Sequence, residues 1–214
     1  GALPTPEAVA TAMSRIESES KRMGQLIEDL LTLARIDERR ESKLAPFDLF
    51  NLAVDASNDA FATAPDRAVS LVGLSDEVAP TSAPVLGDEQ RMRQVIANLL
   101  TNAMRYTPKG SPLEIAVGVR GNANGFPLAT IEVRDHGPGI HGEDRERVFE
   151  RFYRTDTSRS RETGGTGLGL SIVAAIVEQH DGRIHIEETA GGGATFVISL
   201  PYYPPPVADA QLRY

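Results

Sequence analysis

Between Pro6 and Arg40 the chain contains no further proline and a single glycine, Gly24, and this freedom from breakers constrains its shape more than any other stretch. Val9, Met13, Ile16, Ser20, Met23, Ile27, Leu30 and Ala34 recur at spacings alternating four and three. That is a heptad seam held over more than three repeats. Leu26 and Leu33 widen its apolar face. Thr5 and Pro6 supply an N-cap and a first-turn proline. About 34 helical residues would run roughly 50 Å at 1.5 Å each. A single small globule rarely covers such a rod, so the spacing predicts a helix of an intermolecular bundle. Packing along its own domain is the alternative.

The rest of the chain changes character. Asp37 to Pro46 reads as a charged linker, and Phe47 to Ala64 as a helix with Asp48 as its N-cap. Ala68 to Leu74 and Val85-Leu86 are short strand candidates. Asp88 is a good N-cap for a helix through about Tyr106, closed by Pro108 and Gly110. Leu113 to Arg120 alternates as a half-buried strand, Asn122 to Gly125 supplies a turn, and Leu128 to Val133 leads straight into Asp135. Gly142 to Gly165 is polar, without strand character. Gly167 to His180 reads as a helix; Arg183 to Thr189 and Ala194 to Leu200 form a hairpin around Gly191, Gly192 and Gly193. Pro204, Pro205 and Pro206 open a tail with nothing to pack. The sum is an α+β chain: a two-layer α/β sandwich, a mixed sheet with helices on one face, preceded by a long helix of coiled-coil or four-helix-bundle type.

Its 214 residues suffice for one sizeable core and a smaller element. A formal charge of -8 argues against a nucleic-acid partner, whose phosphates demand a basic face. The absence of cysteine excludes disulfide and thiol chemistry. No apolar run approaches the ~20 residues that span a bilayer. The chain reads as a soluble piece whose opening residues look like a cut through a loop.

Four short segments carry chemistry. In the first, Gln94, Asn98, Asn102 and Arg105 share one face of a helix, ending at Tyr106. Amides in a row beside an apolar face need partners, and an amide oxygen is a hard neutral ligand suited to Mg²⁺. In the second, Asp135 ends a strand before His136, Gly137, Pro138 and Gly139. A carboxylate there accepts from an exocyclic amine, and the glycines allow close approach. The third holds Phe149, Phe152 and Tyr153; the fourth runs from Gly164 to Leu170. Gly164 and Gly169 have the spacing of a P-loop, yet Leu170 and Ser171 stand where it needs Lys-Ser/Thr. The glycines instead precede a helix whose N-terminal amides can hold phosphate. The plain alternatives are an amphipathic helix with solvated amides, a simple turn and an empty loop. His136, His141, His180 and His185 are assigned to neither catalysis nor metal; His180 reads as a helix C-cap.

In this order the four segments resemble the N, G1, F and G2 boxes of the bacterial sensor histidine kinases, within the gyrase/Hsp90/kinase/MutL ATPase superfamily. The resemblance implies ATP and Mg²⁺ as cofactors, with Asn102 on the metal, and Asn98 and Arg105 beside the phosphates as the catalytic pair. It also implies Tyr106 against adenine, Asp135 on its amine with Gly137 and Gly139 alongside, and Gly165, Thr166, Gly167, Leu168, Gly169 and Leu170 around the nucleotide. Relatives that hydrolyse ATP carry a glutamate where Asn98 stands, which implies slow hydrolysis here. His141 to Thr163 would be a lid, pinned by Phe149, Phe152 and Tyr153, with Arg154, Arg159 and Arg161 reaching for phosphate.

No residue matches the phosphate-accepting histidine. The long helix then resembles the second helix of the dimerisation and phosphotransfer hairpin, over residues 1–42, before an ATP-binding domain over 43–203 and a tail over 204–214. The expected whole is the cytoplasmic kinase part of a membrane sensor, homodimeric, passing phosphate to a response-regulator receiver domain, with the membrane reached only through segments outside this chain. A different superfamily ATPase, a serine kinase of the anti-sigma type and a dimerisation module with a vestigial nucleotide site are the rivals.

Overall fold

The computed structural model describes residues 5–37, 44–75, 78–154 and 165–204. Helix α1 spans Pro6–Asp37. The elements β1 (Ala45–Asp48), α2 (Leu49–Thr63), β2 (Val69–Val72), β3 (Pro84–Gly87) and α3 (Glu89–Tyr106) follow. Then come β4 (Leu113–Gly121), β5 (Pro127–Asp135), α4 (Asp144–Arg147), α5 (Gly169–Gln179), β6 (Arg183–Glu188) and β7 (Ala194–Pro201). The main sheet has the order β2-β4-β5-β7-β6, parallel between β2 and β4 and antiparallel elsewhere. This is the mixed sheet of the α+β expectation.

Period-two alternation builds the core. Ile115 lies opposite Val133, Val117 opposite Ile131, Ile131 opposite Ile198 and Val133 opposite Phe196, all buried. This row meets the apolar faces of α2, α3 and α5, through Leu52, Ile96, Leu99, Ile172 and Ile176 among others. Asp135 continues the row begun by Ile131 and Val133, so the alternation that buries those side chains delivers a carboxylate to the edge of the core. On the opposite face Glu132, nearly buried, lies between Arg120 at 2.9 Å and Arg134 at 2.8 Å.

Two sequence expectations need correction. The stretch Asp37 to Pro46, expected as a linker, ends inside β1, which pairs antiparallel with β3, Pro46 facing Leu86. Pro46 sits in a two-stranded edge pairing, where a missing N–H is tolerated. Helix α2 accordingly starts at Leu49 rather than Phe47. Its N-cap Asp48 takes Phe50 N at 2.9 Å and also Ala83 N at 2.8 Å, tying β1 to the segment before β3. Residues 38–43 of the linker and 205–214 of the expected tail lie outside the described residues.

Helix α1 has two faces. The seam residues Met13, Ile16, Met23 and Ile27 are all more than half exposed. Leu33 and Ile36 are buried and Leu26 half-buried, so only the last turns dock, against α5 and the loop before it. The Gln179 side-chain amide donates to Ile36 O at 2.8 Å across that junction. Among the described residues no helix is long and apolar enough to cross a membrane.

The division between seam and core predicts opposite responses to substitution. Replacing Ile16, Met23 and Ile27 together by glutamate leaves the urea midpoint of the chain unchanged. Leu99→Ala, at a fully buried position, lowers stability by about 2–5 kcal/mol.

Candidate functional site

A cavity of about 900 Å³ opens where α3, the end of β5, the loop before α5 and the middle of α1 converge. Helix α3 supplies one wall. Its buried residues Met92, Val95, Ile96, Leu99, Leu100 and Ala103 fall at i, i+3, i+4, i+7, i+8 and i+11, which fixes the helix rotation. Asn98, Asn102, Arg105 and Tyr106 are thereby turned into the cavity, half-buried. Gln94, one turn earlier, is exposed and does not line it. The Arg105 guanidinium lies 5.9 Å from the centre of the Tyr106 ring, within cation–π range.

The start of α3 is anchored from the far side. The Asp88 side chain accepts from Arg91 N at 3.1 Å. Asp88 N donates to His180 Nε2 at 2.9 Å, while His180 Nδ1 lies 2.7 Å from Ile176 O. A carbonyl can only accept and an amide N–H only donate, so the imidazole is held as its neutral Nδ1–H form. His180 therefore ends α5 as expected, but as a neutral bridge between two helices.

Asp135 forms the floor, 8 % exposed. One carboxylate oxygen, Oδ1, accepts from Gly137 N at 2.9 Å and from Ala194 N at 3.3 Å. Burial pushes its pKa up, against the pull of those two N–H groups and of the His136 and Arg67 charges. The β6–β7 hairpin presses on this turn. Gly193 has φ +123°, and a Cβ there would fall 1.9 Å from Asp135 O. Gly139, at φ +72°, lines the cavity. Gly137 does not line it; it stands behind Asp135, where a Cβ would come within 2.9 Å of Thr107 Cγ2.

The loop before α5 forms the third side, with Gly165, Thr166, Gly167, Gly169 and Leu170 at the cavity. Helix α5 begins at Gly169, not at Gly167 as the sequence suggested, because Gly167 has φ +74°. Gly167 O accepts from Phe152 N at 2.9 Å, holding the two backbones together. Leu168 faces away, fully buried in the core. Phe149 and Tyr153 pack against that core, whereas Phe152, expected to do the same, is 61 % exposed at φ 65°. Arg154 lines the cavity. The expected contributions of Arg159, Arg161 and Gly164, and most of the second half of the expected lid, lie outside the described residues.

Helix α1 closes the fourth side with Arg22, Gln25 and Asp29. Asp29, 8 % exposed, accepts from Thr166 Oγ1 at 2.8 Å and from Gln25 Nε2 at 2.9 Å. Sequence reasoning missed Asp29, Gly193 and Ala194. The three consecutive glycines were a signal for the hairpin tip; nothing local marks Asp29, which meets its partner 137 positions away.

Residues 87–204 match the family described as histidine kinase-, DNA gyrase B-, and HSP90-like ATPase. The chain belongs to this family. It is 42% identical over 196 residues to the probable sensor histidine kinase TcrY of Mycobacterium tuberculosis, covering 92% of this chain and 39% of that protein. It is 37% identical over 209 residues to the sensor-like histidine kinase SenX3 of Mycolicibacterium smegmatis, covering 97% and 52%. The chain thus spans about two-fifths to half the length of these relatives. Among solved structures, full-length ShkA in complex with AMPPNP superposes with a TM-score of 0.72 at 26% identity, over 95% of this chain and 41% of that one.

The upward shift at Asp135 has a defined sign. A carboxyl whose folded pKa lies above its ordinary 3.8 opposes folding once ionised. The cost is absent well below the ordinary value and complete above the folded one. Asp135→Asn, in this ATPase-family fold, is therefore expected to melt no lower than the unsubstituted chain at pH 7. Its relative advantage shrinks as pH falls toward 3, and thermal melts across pH 3 to 7 measure it.

Proposed function

We propose that the chain is the ATP-binding kinase portion of a membrane sensor histidine kinase. It transfers the γ-phosphoryl of ATP to a histidine carried outside this chain, from which a response-regulator aspartate receives it. The observation that supports this most directly is the cavity itself: a row of amides, an arginine and a tyrosine on one wall, a buried carboxylate at the floor, and a glycine loop opposite. In this reading residues 1–42 are the second helix of a dimerisation hairpin, 43–203 the ATP-binding domain and 204–214 a tail.

Each residue has a role that its chemistry can perform. The free oxygen of Asp135 accepts the adenine amine, and its Oδ1 is already held by two backbone N–H groups. Tyr106 offers a flat face to the base. Arg105 and the amides of the glycine loop face the phosphates. Asn102 fits Mg²⁺ as a neutral oxygen donor, and among the described residues no cluster of three or more acidic or imidazole groups competes for a metal. A metal bound there would take its remaining oxygens from phosphates and water and offset the charge that builds up in transfer.

The rest is positioning. The acceptor imidazole nitrogen forms the P–N bond as the β–γ P–O bond breaks and ADP leaves. Asn98 stands beside the phosphates but cannot take a proton at neutral pH, so it does not activate water. Hydrolysis is therefore slow relative to transfer, which favours a kinase over a true ATPase. The exposed seam of α1 fits a helix made for a homodimeric bundle in the whole protein.

Incubation of the chain with labelled ATP, Mg²⁺ and a separate histidine-bearing helix tests the reading. Acid-labile phosphate on the added helix is expected, and none on the chain alone. Asn102→Ala is expected to abolish most Mg²⁺-dependent ATP affinity while leaving the circular dichroism spectrum intact; normal binding by this variant removes the metal assignment. Asp135→Asn loses about 1.5–3 kcal/mol of ATP binding, the worth of a charge-assisted hydrogen bond. Competition between ATP and GTP measures it.

A further inference from the structure

A buried cation lies behind the cleft rather than in it. Arg67, in the connection between α2 and β2, is 6 % exposed. Its Nη2 donates to Pro108 O at 3.1 Å and Met104 O at 3.4 Å, and its Nη1 donates to Thr107 Oγ1. All three acceptors are neutral oxygens around the C-terminal end of α3. The last carbonyls of a helix lack intrahelical partners and carry partial negative charge. A guanidinium with five fixed donors can serve several of them at once.

Thr107 passes this restraint onward. Its hydroxyl donates to Ala103 O at 2.6 Å, so its lone pairs receive Arg67. Two bonds of fixed direction lock the side-chain rotor. The methyl Cγ2 then lies against Gly137, where an added Cβ would come within 2.9 Å. Gly137 N in turn donates to Asp135 Oδ1 at 2.9 Å. Arg67, Thr107, Gly137 and Asp135 form one contiguous series of bonds and contacts from behind the C-terminal end of α3 to the cavity floor.

We infer that Arg67 is a positioning residue for adenine recognition: it locks Thr107 against Gly137, which orients the Asp135 carboxylate, and it fixes the last turn of α3, which carries Arg105 and Tyr106. The inference rests on the reading of Asp135 as the adenine acceptor. The Arg67 charge also acts on Asp135, favouring its ionised form. A plain stabilising cap on α3 would behave differently, because it would lower the melting temperature without altering which base the folded protein prefers.

The test compares the whole chain with its Arg67→Met, Arg67→Lys, Thr107→Val and Arg67→Met/Thr107→Val variants. Dissociation constants for Mg-ATP and Mg-GTP are measured at a temperature where each variant is folded. Thr107→Val keeps the branched shape of the side chain and removes the hydroxyl that receives Arg67, so it reads the same series from its second residue. The unsubstituted chain is expected to prefer ATP. Arg67→Met and Thr107→Val each lower the ATP:GTP preference by about fivefold to tenfold, the worth of one ordinary hydrogen bond. The double variant loses no more than Arg67→Met alone, since both act through one path. Arg67→Lys recovers part of the loss. Variants that melt lower but keep the full ATP:GTP ratio overturn the inference, as do losses that multiply in the double variant. An unsubstituted chain that binds ATP and GTP alike overturns the reading of Asp135, and the inference with it.

Discussion

The rotation of α3 about its own axis sets nearly everything else. Six apolar side chains at helical spacing lie in the core shared by the sheet, α2 and α5, and burying them leaves the helix a single orientation. The amides of Asn98 and Asn102 point where they do because Leu99 and Ala103 cannot point anywhere else. A helix turned by one residue, about 100°, would bury the amides and expose leucine. The energy that folds the domain is thus also the energy that aims its polar wall.

The ends of α3 hold that orientation from opposite directions. His180 bonds to the amide that opens the helix, and Arg67 grips the carbonyls that close it. Neither side chain reaches the cavity. Asp135 gains its place in a similar way, from the register of β5 with β4 and β7 and from a hairpin tip that only glycine can form. A carboxylate held at the cost of partial desolvation, with one oxygen committed to backbone and one free, is organised before any ligand arrives.

Local patterns made much of this readable. Helical spacing found α3 and its N-cap Asp88 to within a residue, alternation found β4, and the turn segments at 122–125 and 191–193 marked the strands β5 and β7 beside them. Gly137 and Gly139 were read as backbone that approaches something closely, and they do so against Thr107 and Gly193. The failures share a cause. β1 is four residues long, contains a proline and exists only because β3 pairs with it, so no window of sequence records it. Leu168 carries a place in a glycine loop but a side chain that belongs to the core. Phe152 looks like an anchor by composition, and its backbone at φ 65° turns the ring outward. Arg67 and Asp29 act on partners 40 and 137 positions away, a separation at which sequence periodicity carries no information.

Helix α1 is gripped near one end only. Asp29, Leu33 and Ile36 dock, and everything before Leu26 stands clear of the domain except where Arg22 and its neighbours edge the cavity. A rod held this way works as a lever. From Asp29 to Pro6 is about 35 Å, so a tilt of about 10° at the docking point carries the far end through about 6 Å. Its link to the glycine loop is a hydroxyl, the Thr166 side chain bonded to Asp29. With Ile36, about 10 Å further along, as the fixed point, a shift of a few tenths of an ångström in that loop is magnified about fourfold, to roughly 1–2 Å, at the tip of the rod.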